Sequence, residues 1–506
     1  MTGAGTEVAA PPSPAKARSG KVQETAQGER LWIVAIGAIV TIQLWFGMIA
    51  TSFWLDETGT WWIVKDGAAE AIRRALSWSG QSPLYYLVAW LSARMFGLNE
   101  IALRIPSVIA MSGAICFLYR IAEHLYDRTS ASFVAFVFLC VASFYAVDAR
   151  PYALAIFCLT LSMWALIRWL DAPRLRDALL YVGAGTLVVY AHCILALALA
   201  AGLGYGVAVL RRDFRRLVTL GTMALAIALL SLPLVSELEH FYATRSAHTF
   251  TGLPTTGDLL AGFIPCSLAG AAVLLVWIWM AVRGSAGIEG KCTREAAVLI
   301  GAWALFAPLF LFLLPVFGDL RLFVDRYYSS ALPGQALLAG GLLSSIRHAR
   351  ARKALVLVLG AASILAQGRL TVSSHGNDDW RTAMQFVRKE ASSAPVLMVS
   401  PFAEGVDFHS LADPGLREIL FAPEFLYGEP ARPVRLPHLF PLREAAAMEN
   451  IARSLKGEPR FFLLNDKPDR SYEMWLSGKL GPQCRPDSAE RHFGYVRLTG
   501  FTCRDR

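Results

Sequence analysis

The sequence predicts a polytopic all-α membrane protein that ends in a small α/β domain. Composition is the first reason: 55% of the 506 residues are hydrophobic and 17% charged, with a mean hydropathy of +0.44, outside the range of soluble globular chains. The second is pattern. Eleven apolar runs are continuous rather than alternating, so each reads as a helix that satisfies its own backbone in lipid, and a β-barrel is excluded. The third is charge. Arg and Lys fall in short clusters between the runs, and threading the chain brings those clusters to one face, as the positive-inside rule expects. That distribution accounts for the net charge of +9 without nucleic acid, and no nucleic-acid partner is expected.

Residues 1–29 are rich in Ala, Pro, Gly and charge and read as a disordered tail. Lys16, Arg18, Lys21 and Arg30 precede the first span, which keeps this tail cytoplasmic and makes the span an uncleaved signal anchor. The span, about Leu31 to Ala50, delivers Asp56 and Glu57 to the far side, opening an external loop over about 51–103. Pro83 to Gly97 is short for a crossing and carries Tyr85, Tyr86, Trp90 and Arg94, the pattern of an interfacial helix.

The remaining spans read as Ile105–Tyr119, Ser132–Val147, Tyr152–Leu170, Ala178–Ala191, Cys193–Leu210, Val218–Leu234, Leu259–Val282, Ala296–Phe317, Tyr328–Ser345 and Ala354–Gln367. With the first span these make eleven, and the transmembrane unit covers 30–369. Residues 370–506 then lie outside the cytoplasm, with a helical stretch at Trp380–Glu390 and strand-like runs at Val396–Ser400, Arg460–Leu464 and Tyr495–Thr499. Cys484 and Cys503 lie in this polar region. An oxidising compartment would allow them to pair, and the sequence leaves both states open.

The same threading gathers a short set of polar residues at the external helix ends: Asp56, Glu57, Arg104, Asp148, Arg150, His192, Arg245, His248, Asp325 and Arg326. Charges next to apolar spans are costly unless paired or lining a wet cavity, so they are candidates for function. The bland alternative is that they anchor helix ends, that His192 is a satisfied histidine packed at a helix turn, or, for Arg326, that it pairs with Asp325. Two acids facing several cations suit transfer of a sugar from a lipid phosphate. A base takes the acceptor's proton, and cations neutralise the departing phosphate. Asp56 is the expected base, and Asp148 the second acid, sharing a divalent metal or orienting the acceptor. Carboxylate ligands fit Mg or Mn, and His192 would admit Zn. Arg326 and Arg104 are expected to grip the phosphate. Tyr327 and its neighbours read as belt aromatics whose rings are also suited to stacking on a sugar.

The segments LDE, SPLYYLVAWLSARMFGLNEIALRIPSV and YAVDARPYALAIF closely resemble bacterial enzymes of the glycosyltransferase family 39 type. These are GT-C enzymes related to protein O-mannosyltransferases and lipid A aminoarabinose transferases. VDRYYSSALPGQALLAGGLL and NDDWRTAMQFVRKE look like their late-helix and post-membrane segments. The resemblance implies a GT-C fold with its active site on the periplasmic face of the bacterial inner membrane, a polyprenyl-phosphate sugar as donor, and inversion at the anomeric carbon. The expected acceptor is an envelope glycolipid, polysaccharide or protein, and the sequence leaves the choice among them open. It carries a catalytic role to Asp56, with Glu57 beside it, a second acid to Asp148, and an arginine role to Arg104. His192 stands where some members have Lys, as a donor-phosphate residue, and Ser82 where a His is common. Arg150, Tyr152 and Tyr327 complete the expected cavity. The rival is a transporter or flippase for lipid-linked sugars, which would place its charges near the midplane and show internal repeats. A scaffold subunit with a degenerate site is a third reading, and would tolerate Asp56→Asn.

Overall fold

A computed structural model describes residues 14–77, 82–236, 239, 252–263, 267–286, 293–318, 320–371, 378–391, 393–441, 443–487 and 490–504. Residues 1–13 of the expected tail lie outside this set, as do Arg245 and His248. Helix α1 (Pro14–Thr41) takes in residues 14–29, which the composition reads as disordered tail, and continues into a wider turn at Ile42–Phe46. The external loop carries α2 (Leu55–Val64) and α3 (Ala68–Ser77), followed by the interfacial piece α4 (Pro83–Phe96). Then come α5 (Glu100–Leu125), α6 (Arg128–Ala146), α7 (Tyr152–Asp171), α8 (Leu175–Ala191), α9 (Leu199–Leu210) and α10 (Phe214–Leu230). After them follow α11 (Thr256–Phe263), α12 (Ser267–Val282), α13 (Arg294–Phe317), α14 (Leu332–Ser344) and α15 (Ala349–Thr371).

Among the described residues, five helices are long and apolar enough to cross a membrane: Gln27–Phe46, α5, α6, α7 and α13. The chain is a multi-pass membrane protein. Of the run expected as one span over Leu259–Val282, the described parts are α11 and α12, and residues 264–266 between them lie outside the described set. The tight pair around His192 is present as two helical stretches, with His192 capping α8 and a 3-10 turn over Ile194–Ala198 leading into α9.

Small residues set the helix spacing in lipid, where burial gives no drive. Any Cβ at Gly340 would stand 2.6 Å from the Val134 backbone, so only glycine lets α14 lie this close to α6. Pro106 sits inside α5 and has no N–H to give the Ala102 carbonyl. The Ser92 hydroxyl of α4 takes that carbonyl at 2.6 Å, and the Tyr85 hydroxyl takes the next one, Leu103, at 3.2 Å. The helix break signal thus becomes the docking point of the interfacial helix.

The C-terminal domain opens with α16 (Trp380–Glu390), then β1 (Val396–Val399) and three short helices, α17 (Phe408–Ala412), α18 (Pro414–Leu420) and α19 (Ala422–Tyr427). It ends with β2 (Pro433–Leu436), α20 (Ala445–Leu455), β3 (Arg460–Asn465), α21 (Ser471–Leu480), β4 (Cys484–Pro486), β5 (Arg491–Phe493) and β6 (Val496–Cys503). The sheet order is β2-β1-β3-β6-β4, with β5 also on β6. β2, β1 and β3 are parallel, and β6 closes antiparallel onto β3, where Phe461 and Phe501 are register partners with rings stacked at 4.8 Å. Cys484 and Cys503 are bonded across the β4–β6 register.

This domain sits directly on the external loop. Tyr427 Oη accepts the Phe53 N–H at 2.9 Å and donates to Glu100 at 2.9 Å, and Arg381 donates to Glu100 and to the Ala50 carbonyl. Glu418 accepts from Trp62 and Lys65 of α2 and its C-cap.

Candidate active site

The carbonyls that end the first span converge on a single side chain. Arg104, from the first turns of α5, donates to the carbonyls of Met48, Ile49, Thr51 and Ser52. Its other edge meets Glu57, with Nε 2.7 Å from Oε1 and Nη2 bonded to Oε2. Glu57 also accepts the Ala149 N–H at 2.8 Å and the Trp54 N–H at 3.2 Å, the latter being half of a capping box at the start of α2. Both side chains are fully buried. Each nitrogen of the Arg104 guanidinium is engaged by protein oxygens, which leaves the pair as an anchor for the loop. The expectation that Arg104 grips phosphate, with Glu57 facing the reaction, does not match this enclosure.

Asp56 behaves oppositely. One residue earlier on α2, its carboxylate turns to the mouth and stays about a fifth exposed. Arg326 Nη1 donates to its Oδ2 at 3.0 Å, and Arg150 Nη2 lies 3.9 Å from the same oxygen. Arg150 also donates to the Asp56 carbonyl at 3.3 Å and lies 3.5 Å from the Tyr86 hydroxyl. Asp325 takes the Arg326 backbone N–H, and the guanidinium reaches away to Asp56, so the simple Asp325–Arg326 ion pair is not what positions it.

Asp148, in the α6–α7 turn, is fully buried. Its Oδ1 accepts from Trp54 Nε1 at 3.1 Å, and its carbonyl accepts the Ser107 hydroxyl at 2.6 Å. Trp54 therefore joins the residues beside the two expected acids, a residue that the sequence alone does not single out. His192 packs its ring 5.3 Å from Tyr152 and 5.9 Å from Tyr327, with Arg326 above the Tyr327 ring at 5.4 Å. His192 Nδ1 is buried with no partner among the described residues.

The C-terminal domain adds a carboxyl not expected from the residues alone. Asp378 bridges to Gly494 in the sheet and accepts the Leu55 N–H, next to Asp56. Burial, then the nearby Asp466 carboxylate, push it up to about 7.

Among the described residues no group of three or more His, Cys, Asp or Glu side chains is placed to hold a metal ion. Asp56 already faces two guanidiniums, and Asp148 is engaged by Trp54. A divalent ion shared by these acids would sit against the charges of Arg150 and Arg326, so this donor set as arranged does not fit the expected Mg, Mn or Zn.

Fold and site together define a multi-pass membrane protein with a cluster of charged residues at its helix ends, beside a docked α/β domain. Residues 80–236 match the family model described as dolichyl-phosphate-mannose-protein mannosyltransferase. The chain is similar in structure to ArnT from Cupriavidus metallidurans in the apo state, at TM-score 0.54 and 14% identity, over 94% of this chain and 98% of that one. It is also similar to ArnT from the same organism bound to undecaprenyl phosphate, at TM-score 0.53 and 12% identity, over 93% and 98%. At such identities the likeness is one of fold. No curated protein matches the sequence.

Proposed function

We propose that the chain is an integral-membrane glycosyltransferase that moves a sugar from a polyprenyl-phosphate donor to an envelope acceptor, a glycolipid, polysaccharide or protein. The observation that carries this reading is the Asp56 carboxylate held between Arg326 and Arg150 at a partly open mouth. The fold shared with a protein solved with undecaprenyl phosphate supports it, as does the mannosyltransferase family model.

The donor phosphate binds Arg326 and Arg150, the two guanidiniums that Asp56 otherwise occupies. Its arrival draws them from Asp56, which frees the carboxylate as a base. Asp56 takes the proton of the acceptor hydroxyl as that oxygen bonds to the anomeric carbon, and the bond from this carbon to the phosphate oxygen breaks on the opposite face. The sugar is inverted, and the lipid phosphate leaves with its charge neutralised. Asp148, held by Trp54, orients the acceptor side, while His192, Tyr152 and Tyr327 form the wall against the sugar ring. Glu57 and Arg104 fix the loop that carries Asp56.

In this reading the eleven spans put the site and the 370–506 domain on the extracytoplasmic side of a bacterial inner membrane, with the N-terminus cytoplasmic. The Cys484–Cys503 bond supports that side, since thiols stay reduced in a cytosol. The test compares envelope glycolipids and glycans of a deletion strain with its parent by mass spectrometry. A missing sugar mass restored by the intact gene supports transfer, and an unchanged envelope refutes it.

A further inference from the structure

At the end of the bundle opposite Asp148, a polar pocket of about 440 Å³ is lined by Arg30, Arg128, Thr129, Ser130, Ser344 and Arg352, with Asp127 as its one carboxylate. α6 begins at this pocket and ends beside Asp148. At 1.5 Å per residue its length is close to a hydrocarbon core of about 30 Å.

The three guanidiniums are not equally committed. Arg352 spends Nε and Nη2 on Glu29, both at 2.8 Å, and Nη1 on the Ile346 carbonyl. Arg128 gives Nε to Glu123. Arg30 keeps a buried Nε without a partner among the described residues. Asp127 is used up in part as the cap of α6, accepting the Ser130 N–H at 2.8 Å. The pocket is thus a cationic recess at a helix N-terminus, with hydroxyls around it, which suits a phosphodiester.

An apolar groove of about 370 Å³ begins one helical turn away. Val34 and Ser132, one turn beyond Arg30 and Arg128, open this groove, which runs between α1, α5 and α6 past Gly37, Ile115 and Leu139 to Trp45. From Ile33 to Trp45 it follows about 18 Å of helix, which is roughly one leaflet of the core. A free anion would need only the recess. Recess and groove in line fit a headgroup with an acyl chain.

We infer that this face holds an anionic glycerophospholipid, its phosphodiester against Arg30 and Arg128 and one acyl chain along Gly37 and Leu139. The inference is independent of the transfer reaction and rests only on the membrane setting.

The full chain, purified in detergent, is titrated with phosphatidylglycerol, phosphatidylcholine and inorganic phosphate, and bound lipid is counted by native mass spectrometry. Phosphatidylglycerol should be retained and phosphatidylcholine not. Arg30→Gln should weaken retention about tenfold, the scale of one charge-assisted contact. Gly37→Leu should fill the groove and weaken it while leaving the guanidiniums intact. Equal retention of both lipids, unchanged retention in both variants, or full competition by inorganic phosphate would each overturn the proposal. Should either variant fail to fold, phosphatidylglycerol with a photoreactive acyl chain is cross-linked to the unaltered protein. Label on residues 33–45 supports the site, and label confined to other segments overturns it.

Discussion

Arg326 Nη1 donates to Asp56 Oδ2 at 3.0 Å across 270 residues of chain. The contact closes a ring of three elements, because Arg150 of the α6–α7 turn reaches the same carboxylate. A base locked by two cations is a poor base until something takes the cations away, and a phosphate is suited to do that. In the proposed mechanism, transfer is therefore gated by donor binding.

Asp56→Asn keeps the size of the side chain and its contacts with the guanidiniums but has no lone pair basic enough to take a proton. Transfer should fall by about 10²- to 10⁴-fold, the usual worth of a general base, with an unchanged melting temperature. A reconstituted assay with the polyprenyl-phosphate donor reads this out. A variant as active as wild type removes Asp56 from the chemistry and favours a transporter or a scaffold.

Arg326→Ala should raise KM for the donor far more than for the acceptor, and Arg326→Lys should recover part of the loss because a point charge replaces a planar fork. Binding of undecaprenyl phosphate followed by thermal shift separates the roles. Equal donor affinity in wild type and the alanine variant would assign Arg326 to holding Asp56 alone.

Much of this site is legible in the sequence because charge beside an apolar run is conspicuous. Asp56, Asp148, Arg150 and Arg326 stand out in that way, and in the structure Asp56 meets Arg326 and Arg150 with Asp148 buried close by. The pairing of Glu57 with Arg104 is not legible. Adjacent acids at 56 and 57 look equivalent until a helical turn sends one to the mouth and the other inward, to a partner 47 residues away. Trp54 was hidden by the ordinary abundance of interfacial aromatics. In the fold, the long apolar spans and β1, β3 and β6 announce themselves by pattern. α2 does not, because it packs between the helix ends and the C-terminal domain. Neither does β2, which is short, starts at Pro433 and is half-buried over most of its length.

The buried Glu57–Arg104 pair makes a stability prediction distinct from the catalytic ones. Glu57→Gln strands a guanidinium that is fully enclosed, and removing one partner of such a pair costs about 3–5 kcal/mol. Thermal melting of the purified chain should show the loss, and Arg104→Met should show a comparable one. The double variant Glu57→Leu with Arg104→Met should lose less than the sum, since no charge is left stranded. Strictly additive losses would mean that the two residues act separately.

Asp378 links stability to pH at the seam between the domains. An unfolded aspartate titrates near 3.8, whereas burial and Asp466 hold the folded carboxyl protonated up to about 7. Between those values the folded state binds more protons than the unfolded one, so stability falls as pH rises from about 4 to about 7 and then levels off. Glu424, also buried and pushed up to about 7, adds a slope of the same sign. Asp378→Asn should therefore flatten the profile without abolishing it, and its benefit over wild type should be largest at pH 8. Because Asp378 accepts the Leu55 N–H, an amide in its place still offers an oxygen to the start of α2, and transfer at pH 6 should survive. Melting temperatures of both proteins at pH 5 and pH 8 decide the point. Parallel profiles would show that the Asp378 carboxyl titrates as it would in an unfolded chain, and that the seam is not sensitive to its charge.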